Sequence, residues 1–227
     1  MSIAERLAET RLKISLAAVS AGRNADEVRL VAVSKTRPSA DVLECLHAGQ
    51  SLFGENYVQE LGAKISEVRE PVEWHFIGHL QSNKVKYIAG SVSLIHSVDR
   101  LSLAEEINRQ WDKIGQNCNV LVQVNISGEA TKSGTTEEGA LQLVRAVSLL
   151  PNVRVQGLMT MPPFFDDPEA ARPYFAELKR MAVIIAAEGI PGVDMKELSM
   201  GMSGDFEAAI QEGATLVRVG TAIFGER

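Results

Sequence analysis

Residues 28–34 read VRLVAVS and residues 119–126 read NVLVQVNI. Neither run alternates apolar with polar residues, as a strand with one wet face does. Both are almost continuously apolar and rich in valine, the pattern of strands covered on both sides. Working outward from them, short apolar runs recur along the whole chain and alternate with longer amphipathic stretches. Eight runs can be counted: Arg29 to Ser34, Ser51 to Phe53, Glu73 to Ile77, Ser93 to His96, Asn119 to Ile126, Arg154 to Met159, Lys196 to Met200 and Thr215 to Val219. Helical stretches fall between them at Ala40 to Ala48, Asn56 to Val68, Lys84 to Ala89, Arg100 to Lys113, Glu137 to Leu149, Glu169 to Ala187 and Phe206 to Gln211.

Repeated β-α units with doubly covered strands leave two architectures, a closed barrel and a doubly wound open sheet. Eight units without a glycine- or proline-rich linker favour the barrel, and no GxGxxG turn follows the first strand to support dinucleotide binding. The expected fold is α/β: one (β/α)8 TIM barrel spanning residues 1–227, preceded by an N-terminal helix from Ile3 to Ala21. Because the chain stops just after the eighth run, that first helix is expected to occupy the place of a terminal one.

Composition narrows the function. The 227 residues are 45% hydrophobic and 23% charged with a net charge of −6, ordinary for a globular protein and unfavourable for a nucleic-acid partner. No window approaches the roughly 18 unbroken apolar residues of a membrane span. The N-terminus mixes charges at helical spacing and does not read as a secretory signal. The two cysteines, Cys45 and Cys118, sit in apolar stretches with no CxxC or Cys/His cluster, so buried thiols in the cytoplasm are expected and no metal. With no exposed apolar patch legible, a monomer is expected.

In barrels, function gathers at the C-terminal ends of strands. Lys35 stands at the end of the first run, where an ammonium is costly unless paired or neutral, and a neutral amine is what a Schiff base requires. The same lysine could simply reach solvent. The segment Ser199-Met200-Gly201-Met202-Ser203-Gly204-Asp205 offers hydroxyls, backbone N–H groups and two glycines before a helix. With Gly220-Thr221 after the eighth run, it lies where barrels hold phosphate. Its plainer reading is a helix cap, with Ser203 as the N-cap and Asp205 serving the helix dipole. Arg218 interrupts an apolar strand and needs a partner: either an internal carboxylate such as Glu55 or Glu197, or a ring nitrogen of a ligand. Of the four histidines, none is spaced as a metal pair; His79 is expected near the mouth and His75 in the core. The methionines at 159, 161, 195, 200 and 202 read as core filling and pocket wall.

Taken together, VAVSKTRP, FGENYVQE, WHFIGHLQSNK, HSVD, VNISGEATKSG, GLMTMPP and ELSMGMSGDFEAAIQEGATLVRVGTAIFG resemble the pyridoxal-phosphate homeostasis (YggS/PROSC) family along nearly the whole chain. The resemblance implies a barrel like the N-terminal domain of alanine racemase, with pyridoxal 5'-phosphate as cofactor and Lys35 as its Schiff-base lysine. It further implies phosphate contacts from Ser199, Met200, Ser203, Gly220 and Thr221, Arg218 at the pyridine nitrogen, and Asn56 near the ring. It assigns no role to Asn83, Lys84 or Lys132.

An arginine cannot accept the ring-nitrogen proton, so Arg218 would leave the nitrogen neutral and the electron sink weak. Racemases of the related barrel type place two bases on the substrate, one from an added domain and a partner subunit. None is legible after Arg227. The expected function is therefore a non-catalytic cofactor carrier or buffer in pyridoxal-phosphate homeostasis, with apo forms of pyridoxal-phosphate enzymes as partners and indirect effects on amino- and keto-acid metabolism. The alternatives are a weak pyridoxal-phosphate-dependent amino-acid racemase and a lysine-dependent sugar-phosphate aldolase that holds no cofactor.

Overall fold

The structure, a computed structural model, describes residues 1–129 and 132–226. Ala130 and Thr131 of the polar loop VNISGEATKSG, and Arg227, lie outside the described residues. Eight parallel strands form a closed barrel in sequence order. They are β1 (Arg29–Val33), β2 (Leu52–Glu55), β3 (Glu73–Phe76), β4 (Leu94–Val98), β5 (Cys118–Gln123), β6 (Val153–Met159), β7 (Val193–Ser199) and β8 (Leu216–Val219). β1 closes the ring against β8, with Val31 opposite Arg218 and Ala32 opposite Val219.

Successive side chains of a strand point to opposite faces, and here both faces are packed. Leu30 and Ala32 of β1 join the large core between sheet and helices. Val31 points the other way, into a separate interior cluster with Leu52, Leu94, Leu121, Met159 and Leu216. Two cores fed by alternate residues explain why these strands read as unbroken apolar runs.

The helices are α1 (Ile3–Ser20), α2 (Ser39–His47), α3 (Val58–Glu67), α4 (Leu101–Asp112), α5 (Glu137–Ser148), α6 (Arg172–Ala187), α7 (Phe206–Gln211) and the single turn α8 (Thr221–Phe224). Helix α1 starts at a capping box between Ser2 and Glu5 and buries Ile3, Leu7, Ile14, Ala17 and Ala18. It packs against α7, α8 and α2, and Arg6 Nε donates to the Ile223 carbonyl at 2.6 Å. The N-terminal helix thus covers the β8-to-β1 side of the ring.

Element boundaries depart from the sequence reading in several places. β2 runs on through Gly54 and Glu55, because Glu55 finds partners inside the fold, and α3 begins only at Val58. β7 begins at Val193, its first half carrying Asp194 and Lys196 outward. The stretch expected as a helix from Lys84 is a 3-10 segment, Ser82–Tyr87. Another 3-10 turn, Pro168–Ala171, precedes α6, whose first turn holds a proline that lacks the N–H an α-helix interior uses.

Candidate cofactor site at the C-terminal mouth

The ends of β1, β2, β6, β7 and β8 surround a cavity of about 340 Å³. Its wall includes Lys35, Asn56, Met161, Phe164, Met202, Ser203, Asp205, Arg218, Gly220 and Thr221. Six of the eight residues singled out from sequence therefore share one space: Lys35, Asn56, Ser203, Arg218, Gly220 and Thr221. The other two do not line it. Ser199 and Met200 are fully buried, Ser199 inside the barrel against Arg218 and Met200 in the core between sheet and helices.

Lys35 is half-buried in the turn after β1. The next residue, Thr36, adopts a left-handed φ of 61°, strained for a β-branched side chain. A buried network holds the turn in place. Ser34 Oγ donates to Glu55 Oε1 at 2.6 Å, while Lys64 Nζ donates to Glu55 Oε1 at 2.6 Å and to the Ser34 carbonyl at 2.6 Å. Glu60 accepts from Lys64 at 2.8 Å and from the Thr36 N–H. Burial pushes the Glu55 carboxyl up, against the opposing pull of Lys64 and Ser34.

Arg218 is 4% exposed. Its Nη1 donates to Ser199 Oγ and its Nη2 to the Thr160 carbonyl at 2.9 Å. Both carboxylates considered as internal partners are engaged elsewhere, Glu55 by Lys64 and Glu197 by Arg29 at 2.9 Å. Among the described residues Arg218 makes no ion pair. Burial lowers it to about 10, with Asp205 pulling the other way. Two of its five N–H groups are accounted for, and Arg218 is part of the cavity wall.

Across from Lys35, the Ser203 hydroxyl receives the backbone N–H of Gly220 at 3.3 Å and of Ala222 at 3.4 Å. This draws the turns after β7 and β8 together. Asp205 accepts the Met202 N–H at 2.6 Å, and burial pushes its carboxyl up, which lessens its repulsion of an anion. Gly201, at φ +90°, is required by packing as well as by backbone: a Cβ there would sit 2.7 Å from that of Ala209. Gly78 has a similar duty beside Asn56, since a Cβ would fall 2.2 Å from the Asn56 carbonyl oxygen. Asn56 Oδ1 is buried with no hydrogen-bond partner, an acceptor kept open at the cavity wall.

Sequence reasoning missed the barrel interior behind Arg218. His96 Nδ1 lies 2.8 Å from Ser199 Oγ, and His96 Nε2 lies 2.9 Å from His75 Nδ1. His75 sits in the core, as expected, and His96, to which the sequence assigns no role beyond excluding a metal pair, is fully buried; its place in an otherwise apolar strand is the available signal. His79 contacts Ser133 Oγ at 3.3 Å and lines an adjoining recess with Tyr57, Gln81 and Lys84. Lys132 pairs with Glu129 at 3.2 Å. Among the methionines, 161 and 202 line the cavity, and 159 and 200 are core. Cys45 and Cys118 are buried thiols, Cys45 pushed up to about 12 by burial. Among the described residues no cluster of acidic, histidine or cysteine side chains could hold a metal, and no helix is long and apolar enough to cross a membrane.

A closed parallel barrel with a lysine in the turn after its first strand matches a known domain family. The profile of the alanine racemase N-terminal domain matches residues 14–227. The alanine racemase of Clostridium difficile 630 superimposes with a TM-score of 0.74 at 17% identity, over 96% of this chain and 56% of that one, a likeness of fold. At full length the similarity is much closer. The chain is 45% identical to the pyridoxal phosphate homeostasis protein of Aquifex aeolicus, covering 100% of this chain and 99% of that protein. The structure of PipY from Synechococcus elongatus PCC7942 with PLP bound superimposes with a TM-score of 0.86 at 35% identity, over 99% of this chain and all of that one. The chain belongs to the pyridoxal phosphate homeostasis protein family, built on the alanine racemase N-terminal domain.

Proposed function

We propose that this protein binds pyridoxal 5'-phosphate through a Schiff base to Lys35 and serves as a non-catalytic carrier or buffer of the cofactor, one domain acting as a whole. The observation that carries the reading is convergence: a lysine, a buried arginine, an unsatisfied amide oxygen and a serine-bridged pair of turns meet around one cavity. A space of about 340 Å³ is in the range of small-molecule sites. Ser203, Gly220 and Thr221 would hold the phosphate, with Ser199 and Met200 supporting that turn from beneath. Arg218 would donate to the ring nitrogen, and Asn56 would face the ring. When bound, the cofactor supplies an aldehyde carbon for imine exchange and an electron-withdrawing ring.

The site's own residues argue against turnover. Arg218 donates and cannot give up a proton near neutrality, so the ring nitrogen it faces stays unprotonated and the ring withdraws electrons weakly. The titratable side chains of the cavity wall are Lys35, Asp205 and Arg218. Among the described residues of the wall, Asp205 is tied by the Met202 N–H to its own turn and Arg218 is held by Ser199 and Thr160, so neither is placed as a second mobile base for a racemase. The exposed Phe164 at the rim suits exchange with the outside, including apo enzymes that need the cofactor.

Borohydride reduction of the protein saturated with pyridoxal phosphate, followed by peptide mass spectrometry, tests the assignment. The expected result is a yellow protein that bleaches and carries the reduced adduct on Lys35. An adduct on another lysine overturns the site, and a colourless protein favours a cofactor-free aldolase. Washout of an amino acid's α-deuteron that depends on Lys35 would replace the carrier with a weak racemase.

A further inference from the structure

A line of hydrogen bonds runs through the barrel interior behind Arg218. From Arg218 it passes to Ser199 Oγ, then to His96 Nδ1 at 2.8 Å, from His96 Nε2 to His75 Nδ1 at 2.9 Å, and from His75 Nε2 to Glu73 Oε1 at 3.2 Å. The members come from β8, β7, β4 and β3. Arg218, Ser199, His96 and His75 are buried, whereas the Glu73 side chain is 42% exposed. Glu73 and His75 line a second cavity of about 260 Å³ among the strand N-termini, shared with Arg29 and Glu197. The line therefore joins the two mouths of the barrel.

Its ends fix its direction. A guanidinium only donates and a carboxylate only accepts. If each histidine carried its hydrogen on Nδ1, the bare Nε2 of His75 would face the Glu73 carboxylate, acceptor against acceptor, inside a buried line. With both hydrogens on Nε2 every contact is a proper hydrogen bond: Arg218 to Ser199, Ser199 to His96, His96 to His75, His75 to Glu73. All these dipoles then align between a buried cation and a half-exposed anion. Such alignment strengthens each bond beyond its isolated worth. A doubly protonated histidine would break the sequence and bury a cation beside Arg218. The charged groups facing this pair are Glu73 on β3, Arg29 on β1, Glu197 on β7 and Arg218 on β8, and burial lowers both histidines.

We propose that Ser199, His96 and His75 are positioning residues that orient Arg218 and couple the cofactor-facing guanidinium to the charge on Glu73 at the opposite mouth of the barrel. The relay stands on contacts of this chain alone; its effect on a bound ring rests on the function proposed above. Neutralising Glu73, by a cation lodged in the second cavity or by substitution, removes the anionic terminus. Arg218 is then held less firmly and donates differently to whatever occupies the pocket.

Imidazole ¹⁵N–¹H NMR of the protein without cofactor tests the relay directly. His75 and His96 should both appear as neutral Nε2–H tautomers throughout pH 5.5–8. Glu73→Gln keeps an oxygen acceptor but removes the charge, and it should shift the resonances of His96, which Glu73 does not touch. Either histidine titrating near 6.5, a hydrogen on Nδ1, or an unmoved His96 in Glu73→Gln overturns the relay. In the protein loaded with pyridoxal phosphate, Glu73→Gln should displace the visible maximum relative to wild type, and the displacement should vanish when Ser199→Ala has cut the line. A displacement that persists in Ser199→Ala, or none in the single variant, refutes the coupling. A wild type that forms no visible band refutes the reading of the pocket instead, and the cofactor-free spectra still decide the relay.

Discussion

Replacing Lys64 with methionine tests the network beneath the Lys35 turn. All three ammonium donors of Lys64 are used, on the Ser34 carbonyl, Glu55 and Glu60, and its side chain is 4% exposed against 0% for Glu55. Methionine keeps most of the apolar stem and removes the charge. Glu55 is then a buried carboxylate holding one hydroxyl hydrogen bond, from Ser34. Removing one partner of a buried ion pair costs about 3–5 kcal/mol. With a urea dependence of roughly 3 kcal/mol per molar for a chain of this size, the unfolding midpoint should fall by roughly 1–1.7 M.

The sign of the pH effect follows from Glu55, whose carboxyl is raised in the fold by burial. A carboxyl raised on folding opposes stability above its folded value and stops doing so as it protonates. The deficit of Lys64→Met should therefore be full at pH 8 and shrink as pH falls toward the ordinary carboxylate range. Glu55→Gln added to Lys64→Met should recover more than half of the loss. Equilibrium urea unfolding of the three variants at pH 8 and pH 5.5 reads all of this. A single-variant loss below about 1 kcal/mol, or a double variant no more stable than Lys64→Met, would refute the claim that the buried pair anchors the turn.

Other outcomes are expected at the site and in the barrel. Gly201→Ala places a Cβ 2.7 Å from Ala209 Cβ and 3.0 Å from Phe206 Cα at a φ of +90°, so a loss of about 1–3 kcal/mol and weaker pyridoxal-phosphate binding should appear in thermal melts and titrations. Unchanged values in both would show that the turn tolerates displacement. His75 and His96 are lowered on folding, so the stability they contribute is present above the ordinary histidine value of 6.5 and is lost as pH falls below it. Each adds up to about 1.4 kcal/mol per pH unit on the acid side, and replacing both with asparagine should flatten that limb of the stability–pH curve. Lys35→Ala should retain weak binding of pyridoxal phosphate, visible as quenching of intrinsic fluorescence, because the Ser203 and Gly220 contacts remain; complete loss would show that the phosphate turns contribute little.

Much of this protein is legible in its sequence. Unbroken apolar runs such as residues 28–34 announce strands buried on both faces, and eight of them alternating with amphipathic stretches imply a barrel. Arg218, inside such a run, demands a partner, and Lys35, at the end of one, stands where barrels work. These signals are local, because burial of a strand face is written in adjacent residues.

What tertiary structure decided is which distant residues meet. As an alternative to a ligand, the sequence offers Arg218 the carboxylates of Glu55 and Glu197, yet Lys64 and Arg29 hold them, and the guanidinium rests on Ser199 and Thr160. His96 reaches Ser199 across 103 residues of sequence. A parallel barrel sets such neighbours by closure and register, to which no residue's flanking sequence refers. That physical separation between local burial and global registration is why the fold and the position of Lys35 at the mouth could be read along the chain, while the line from Arg218 to Glu73 required the barrel to close.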